Sequence, residues 1–357
     1  MPELRRDPVT GRWVIISPER GQRPNDFQIE RAIATGSATC PFCAGHEGQT
    51  PPEVLAVRPG GGAPDTPGWD IRVVPNKYPA LTRGEDRQRG DSQGGDAQGV
   101  DAQRGDSIRG GDPDRAGHVL FQRVAGVGAH EVIIETSDHG ASLATMGEEA
   151  IARVLWACQQ RIRVLKSDPR LRHVLLFKNH GAAAGATLEH PHAQLIALPL
   201  VPDLVREEIE GARSHHAATG RCLFCDIVAR ERASAIRLVH EDAEAVALMP
   251  YAARFPFETW LLPRIHGARF EDASSSVLAG VAASLRVVLR RMDAALARPA
   301  FNLVLHSAPF GEPVDQLYHW HVEVLPKLTR TAGFEWGTGC AINPTPPEEA
   351  AEVLRRP

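Results

Sequence analysis

A chain of 357 residues with 43% hydrophobic and 24% charged content is long enough for one large core or two linked ones, and reads as a soluble globular protein. Its formal net charge is only -4 and no block of five or more Lys/Arg occurs, which excludes a basic nucleic-acid binder; no nucleic-acid partner is expected. The start, MPELRRDPVTGRW, lacks the apolar core of a secretory signal, and Arg interrupts the later apolar helices before they could span a bilayer, so no membrane partner and a cytoplasmic location are expected.

In chain order, the first chemical signal is CPFC, Cys40 and Cys43, matched later by CLFC, Cys222 and Cys225. In a reducing compartment such pairs bind metal or do redox chemistry more readily than they form structural disulfides. The run 84–117 is rich in Gly, Asp, Gln and Arg and nearly free of large apolar residues. It cannot bury enough surface to offset its ordering entropy and is expected to be a disordered insertion.

After the first pair comes HEVIIETSDH, ending at His139; after the second comes FETWLLPRIH, ending at His266. In both, a Glu precedes the terminal His by eight positions, with the length of a strand plus a turn between. Each segment is followed by a stretch of helical period. Thr145 and Glu148 have capping-box spacing ahead of Ile151, Val154, Leu155, Cys158, Ile162 and Leu165; Val277, Val281, Leu285, Val288, Leu289 and Met292 repeat the pattern. Each half then presents a strand, a Gly-containing loop and a second strand opening with His-x-His: His190 and His192, then His319 and His321. The spacing from the middle His to the pair is 51 residues in one half and 53 in the other.

The unit therefore occurs twice. It predicts an α+β fold of two tandem, pseudo-equivalent halves, 1–200 and 201–357, with helices against a largely antiparallel sheet. Paired thiolates plus two imidazoles suit tetrahedral zinc, and the repeat supplies two sets: Cys40, Cys43, His139 and His190, then Cys222, Cys225, His266 and His319. Taken singly, each CxxC also fits a redox motif, and each His a hydrogen-bonded strand-end residue. A zinc ribbon sharing all four cysteines is the further alternative, although the pairs lie 182 residues apart.

The segment FKNHGAAAGATLEHPHAQ carries the chemistry. Its Gly/Ala loop from Gly181 to Gly185 lets backbone approach a ligand, with N–H groups available to phosphate. On an extended strand His190, His192 and Gln194 project from one face. A neutral imidazole is a competent nucleophile near pH 7 and needs no separate base.

These residues resemble the galactose-1-phosphate uridylyltransferase family, a branch of the histidine-triad superfamily marked by H-P-H-x-Q, here His190 to Gln194. The resemblance extends over nearly the whole chain outside the insertion and includes TGRWVIISPERGQRP, CPFC, RVVPNKYPAL, SDH and GFEWGTGCAINPTPPEEAA. It implies that His192 becomes covalently nucleotidylated and that His190 is a zinc ligand that orients it. Gln194 would hold a phosphoryl oxygen, Thr187 would contact phosphate, Arg20 and Arg23 would lie near the phosphates, and Asn76, Asn179 and Gly185 would line the nucleotide site. Gln194 stands where related hydrolases carry a third His, which favours transfer, since an amide cannot shuttle a proton.

In the second half His321 and Glu323 take the places of His192 and Gln194, and a carboxylate facing phosphate repels it, so that half is expected to be structural. The implied reaction is ping-pong transfer of UMP from UDP-glucose to galactose 1-phosphate, with a homodimer implied as well. The C-terminal stretch is more similar to an ADP-glucose phosphorylase-like branch, which makes adenylyl transfer from an ADP-sugar to phosphate the alternative. A zinc-ribbon binding protein without chemistry is the third.

Overall fold

The computed structural model describes residues 1–22, 37–84 and 124–356. All but the first residue of the expected insertion, and Arg23, lie outside the described residues. Strands β1 (Glu3–Arg6) and β2 (Trp13–Ile16) open the chain, and β3 (Leu55–Val57), β4 (Ile71–Pro75) and β5 (Ala129–Ile134) follow. Helix α1 (Glu148–Lys166) leads to β6 (His173–His180) and β7 (His192–Leu198). Helices α2 (Asp203–Thr219) and α3 (Leu223–Ser234) precede β8 (Leu238–Glu241), β9 (Ala245–Leu248) and β10 (Thr259–Pro263). After α4 (Ser275–Leu296) come β11 (Phe301–His306), β12 (His321–Pro326), α5 (Gly333–Thr338), β13 (Ala341–Asn343) and α6 (Pro347–Arg355).

Ten strands form one antiparallel sheet in the order β3-β4-β5-β7-β6-β11-β12-β10-β9-β8. Reading outward from its centre, each half has the same order: β6, β7, β5, β4, β3 on one side and β11, β12, β10, β9, β8 on the other. The sequence repeat is thus a structural one, joined where β6 pairs with β11, Leu303 opposite Lys178. The fold is the mixed α+β architecture expected, with six α-helices among the described residues.

Helices α1 and α4 pack on one another and on the same sheet face. Every apolar position read from the two helical periods is buried. Each such side chain contributes roughly 1.5–3 kcal/mol on burial. One apolar cluster runs under both halves, from Ile71 and Ile133 through Val154 and Leu285 to Val322 and Leu354. The capping box at Thr145 does not form: α1 starts behind Gly147, and Thr145 Oγ1 instead donates to the Ser142 carbonyl. The Ser142–Thr145 turn captures the hydroxyl first. In α4, Ser274 does cap, accepting from the Val277 N–H at 3.3 Å.

The N-terminal strands cross to the other half. β2 pairs in parallel with β13, and Val9 packs in the cluster of Ile209 and Phe224. Arg5 joins them by binding Glu348 and the Tyr251 carbonyl. No helix among the described residues is long and apolar enough to cross a membrane.

Candidate active site

The face of the sheet opposite α1 and α4 carries the His192 group. Ile134 opposes His192 and Val132 opposes Gln194 across the β5–β7 ladder, so all four share one face. Val132, Ile134, Val74 and Trp69 form a small apolar cluster there, closed by Phe42 of CPFC. The strand begins at His192; His190 sits on the bend before it, turned toward the cysteines.

His192 is 6% exposed, with its ring 5.3 Å from that of Phe42. Its Nδ1 lies 2.8 Å from the His190 carbonyl, which can only accept, so Nδ1 carries the proton and Nε2 the lone pair. Burial lowers the imidazole to about 4, with the Lys178 and His190 charges acting in the same direction and the carbonyl bond opposing them. The ring is therefore neutral, and among the described residues no hydrogen bond engages its Nε2.

Gln194 Oε1 lies 2.9 Å from His130 Nε2. Asn76 Oδ1 accepts from the Tyr78 N–H at 2.8 Å, and its Nδ2 is 3.2 Å from the same His130 nitrogen. Asn179, on β6, is held from the other half: Asn302 Nδ2 donates to Asn179 Oδ1 at 2.8 Å and to the Ala184 carbonyl at 2.9 Å. An N–H2 group with two acceptors has only one sensible orientation, which leaves the Asn179 N–H2 directed away from Asn302.

The loop between β6 and β7 differs from an open phosphate cradle. The N–H groups of Ala184, Gly185 and Ala186 bond back to the Gly181 and Ala182 carbonyls, because the loop winds into a 3-10 turn over Ala182–Ala184. Gly181 and Gly185 bracket it at φ of 80° and 88°. A Cβ on Gly181 would meet the Ala300 Cβ at 2.9 Å, so glycine is required twice over. A Cβ on Gly185 would stand 3.7 Å from Asn179 Nδ2, which places the glycine beside that amide. Thr187 is exposed on the same loop and Arg20 on the 3-10 turn Pro18–Gln22; among the described residues no side-chain hydrogen bond ties either to the His192 group.

The two Cys/His sets assemble as their spacing suggested. One ligand atom from each of Cys40, Cys43, His139 and His190 lies within 4.8 Å of the others, and so do those of Cys222, Cys225, His266 and His319. Cys43 Sγ is 3.3 Å from His139 Nδ1 and 3.6 Å from His190 Nδ1; Cys225 Sγ is 3.4 Å from His266 Nδ1 and 3.5 Å from His319 Nδ1. His190 Nε2 donates to the Thr136 carbonyl at 2.8 Å and His266 Nε2 to that of Asp315 at 2.7 Å, so both Nδ1 lone pairs face the sulfurs. Burial and the adjacent Cys40 push the Cys43 thiol up to about 11. The donor chemistry of both groups fits a tetrahedral metal ion.

Two family models divide the chain between them: "Galactose-1-phosphate uridyl transferase, N-terminal domain" matches residues 1–202 and the C-terminal domain of the same family matches 208–339. The chain belongs to the galactose-1-phosphate uridyl transferase family. It is 33% identical to ADP-glucose phosphorylase of Arabidopsis thaliana over 99% of this chain and 92% of that protein. It is 28% identical to galactose-1-phosphate uridylyltransferase of Thermotoga maritima over 99% of this chain and 98% of that one. A crystal structure of the Arabidopsis ADP-glucose phosphorylase with bound ADP-glucose superposes with a TM-score of 0.80 at 32% identity, covering 100% of this chain and 99% of that one. The protein is thus an enzyme of a nucleotidyl-transferring family.

Within this family chain, the second half has closed the position equivalent to His192. His321 donates from Nδ1 to the His319 carbonyl at 3.0 Å, repeating the first half, but it is 1% exposed. The rings of Phe224, Trp260 and His306 surround it. Glu323, in the place of Gln194, is paired with Arg254 and His306. Against the cost of burial, Glu208 and Glu323 hold the His306 imidazole up to about 10, so the cluster carries a fixed cation among carboxylates.

Three residues near the His192 group escaped the sequence reading. Lys178, on the helix-covered face, binds Glu135 at 2.8 Å and the His192 carbonyl at 3.0 Å, and both charged groups are buried. His130 and Asn302 each hold one of the predicted amides. A lysine directly after the apolar run VLLF was the available signal for Lys178; nothing in the sequence marks the other two.

Proposed function

We propose that this chain is a nucleotidyltransferase working through a covalent nucleotidyl-His192, with ADP-glucose and inorganic phosphate as its substrates. The carrying observation is the His192 imidazole: buried, neutral, with Nδ1 committed to the His190 carbonyl and Nε2 free. Nε2 attacks the α-phosphorus of the nucleotide sugar; the N–P bond forms as the bond to the sugar phosphate breaks, and glucose 1-phosphate leaves. The proton stays on Nδ1, so the phosphorylated ring is cationic and departs readily when a phosphate oxygen attacks. ADP is released and the neutral ring restored.

Gln194, Asn76 and Asn179 would offer N–H2 groups to the phosphate and nucleotide, Gly185 close approach, and Thr187, Arg20 and Arg23 further phosphate contacts. Cys40, Cys43, His139 and His190 would hold one zinc ion, and Cys222, Cys225, His266 and His319 a second. Zinc supplies cross-links between distant chain segments, and the first site fixes the CPFC loop and the His190 carbonyl against His192. Residues 1–200 form the catalytic half and 201–357 the structural one, in a cytoplasmic homodimer. The free cysteine pairs are in keeping with a reducing compartment.

The adenine nucleotide is favoured by the 33% identity to the Arabidopsis phosphorylase and by the GFEWGTGCAINP stretch. Uridylyl transfer from UDP-glucose to galactose 1-phosphate is the second reading, supported by a Thermotoga uridylyltransferase matched over 98% of its length. Intact-protein mass after incubation with ADP-glucose or UDP-glucose alone decides between them: an added AMP is expected, an added UMP selects the second reading, and His192→Ala should show neither. An adduct that survives His192→Ala, or none with any nucleotide sugar, overturns the proposal.

A further inference from the structure

A carboxamide serves a phosphoryl oxygen only through its N–H2 end, yet its two ends are nearly the same size. Which end Gln194 turns to a substrate must be set by something that binds the other end. His130 lies diagonally across the β5–β7 ladder, opposite Ile196 while Val132 opposes Gln194. Its Nδ1 is 3.2 Å from the Ala80 main-chain nitrogen, and its Nε2 is 2.9 Å from Gln194 Oε1.

The main-chain N–H of Ala80 can only donate. His130 Nδ1 must therefore be the lone-pair nitrogen, a neutral ring then carries its proton on Nε2, and that proton goes to Gln194 Oε1. Hydrogen bonds run in one sense, from the Ala80 N–H through the imidazole to the amide carbonyl, and the Gln194 N–H2 is left facing outward. Asn76 offers no competing acceptor, because its Oδ1 is already taken by the Tyr78 N–H at 2.8 Å. Its Nδ2, 3.2 Å from His130 Nε2, is itself a donor and makes no hydrogen bond to the protonated nitrogen, so the shorter 2.9 Å contact to Gln194 Oε1 takes the proton.

We propose that His130 is a positioning residue that locks the Gln194 amide with its N–H2 group toward the transferred phosphoryl group. The inference rests on the nucleotidyl transfer proposed above. His130 touches no reacting atom; it acts through Gln194, and its effect should vanish when Gln194 is gone.

The test is a double-mutant cycle on full-length protein purified without chelator, using whichever of ADP-glucose or UDP-glucose forms the His192 adduct. Gln194→Ala should lower kcat on the order of 100-fold, as loss of one oriented donor does. His130→Leu should lower kcat similarly, with KM changed far less, and should cost nothing further in the Gln194→Ala background. His130→Gln retains both an acceptor for Ala80 and a donor for Gln194 and should recover most of the rate. If His130→Leu does not fold, His130→Glu makes the same comparison, since a carboxylate only accepts and draws the Gln194 N–H2 inward.

Equal losses from the His130 change with and without Gln194, or an undiminished rate in His130→Leu, overturn the inference while the nucleotidyl-His192 mechanism remains. An undiminished rate in Gln194→Ala overturns both this inference and the phosphate-binding role of Gln194, but an adduct on His192 would still report nucleotidyl transfer.

Discussion

A histidine in water is half protonated near pH 6.5, and a protonated ring cannot attack phosphorus. Burial moves His192 to about 4, so the reactive neutral form persists well below that pH. The rate of adduct formation from nucleotide sugar alone, which removes the acceptor's own ionisation, should stay level down through about pH 6 and fall only as pH approaches 4. An acid limb centred near 6.5 would show that the ring is solvated in the working enzyme. The motif H-P-H-x-Q named this residue; burial by Phe42 and the surrounding sheet keeps the ring neutral, and the His190 carbonyl sets its tautomer.

At the scale of one strand, β6 divides its labour between two faces. Asn179 points to the ligand side, while Lys178 reaches Glu135 and the His192 carbonyl beneath the sheet. Removing one member of a buried ion pair leaves the other uncompensated, which costs about 3–5 kcal/mol, whereas replacing both with apolar residues is often neutral. Lys178→Met should therefore lower unfolding stability by about that amount in urea titration, and Lys178→Met with Glu135→Leu should restore it. Adduct formation separates the roles: the double variant should be stable yet slow, because the His192 carbonyl loses its tether. A double variant as fast as the parent would make the pair purely a packing element. Sequence periodicity predicted α1 and α4 correctly but missed this pair, since Glu135 and Lys178 meet only when β5, β7 and β6 align.

For the molecule as a whole, the duplicated halves differ at the His192 position while both Cys/His sets keep the same geometry. The first set lies beside His192; the second lies beside the closed His321 cluster, with His266 exposed. Elemental analysis of protein purified without chelator should give two zinc ions per chain, falling to one in Cys40→Ser and in Cys222→Ser. Cys40→Ser should also slow adduct formation, because the CPFC loop and His190 both position His192, whereas Cys222→Ser should lower the melting temperature while adduct formation continues. Equal losses of activity in both variants would show that the second half supports catalysis as directly as the first.

The order of Cys, His and helical segments, repeated along the chain, determined by itself the two halves of the sheet, the two buried helices and the eight clustered Cys and His side chains. Those features rest on residue type and spacing, which local backbone geometry translates directly. Tertiary structure alone decided the orientation of each amide, the tautomer of each imidazole and the closing of the second-half site. Each depends on a partner contributed from elsewhere in the chain: Ala80 for His130, Asn302 for Asn179, Glu208 for His306. Spacing along a strand says which face a side chain takes; only its neighbours in space fix which of its atoms donates and which accepts.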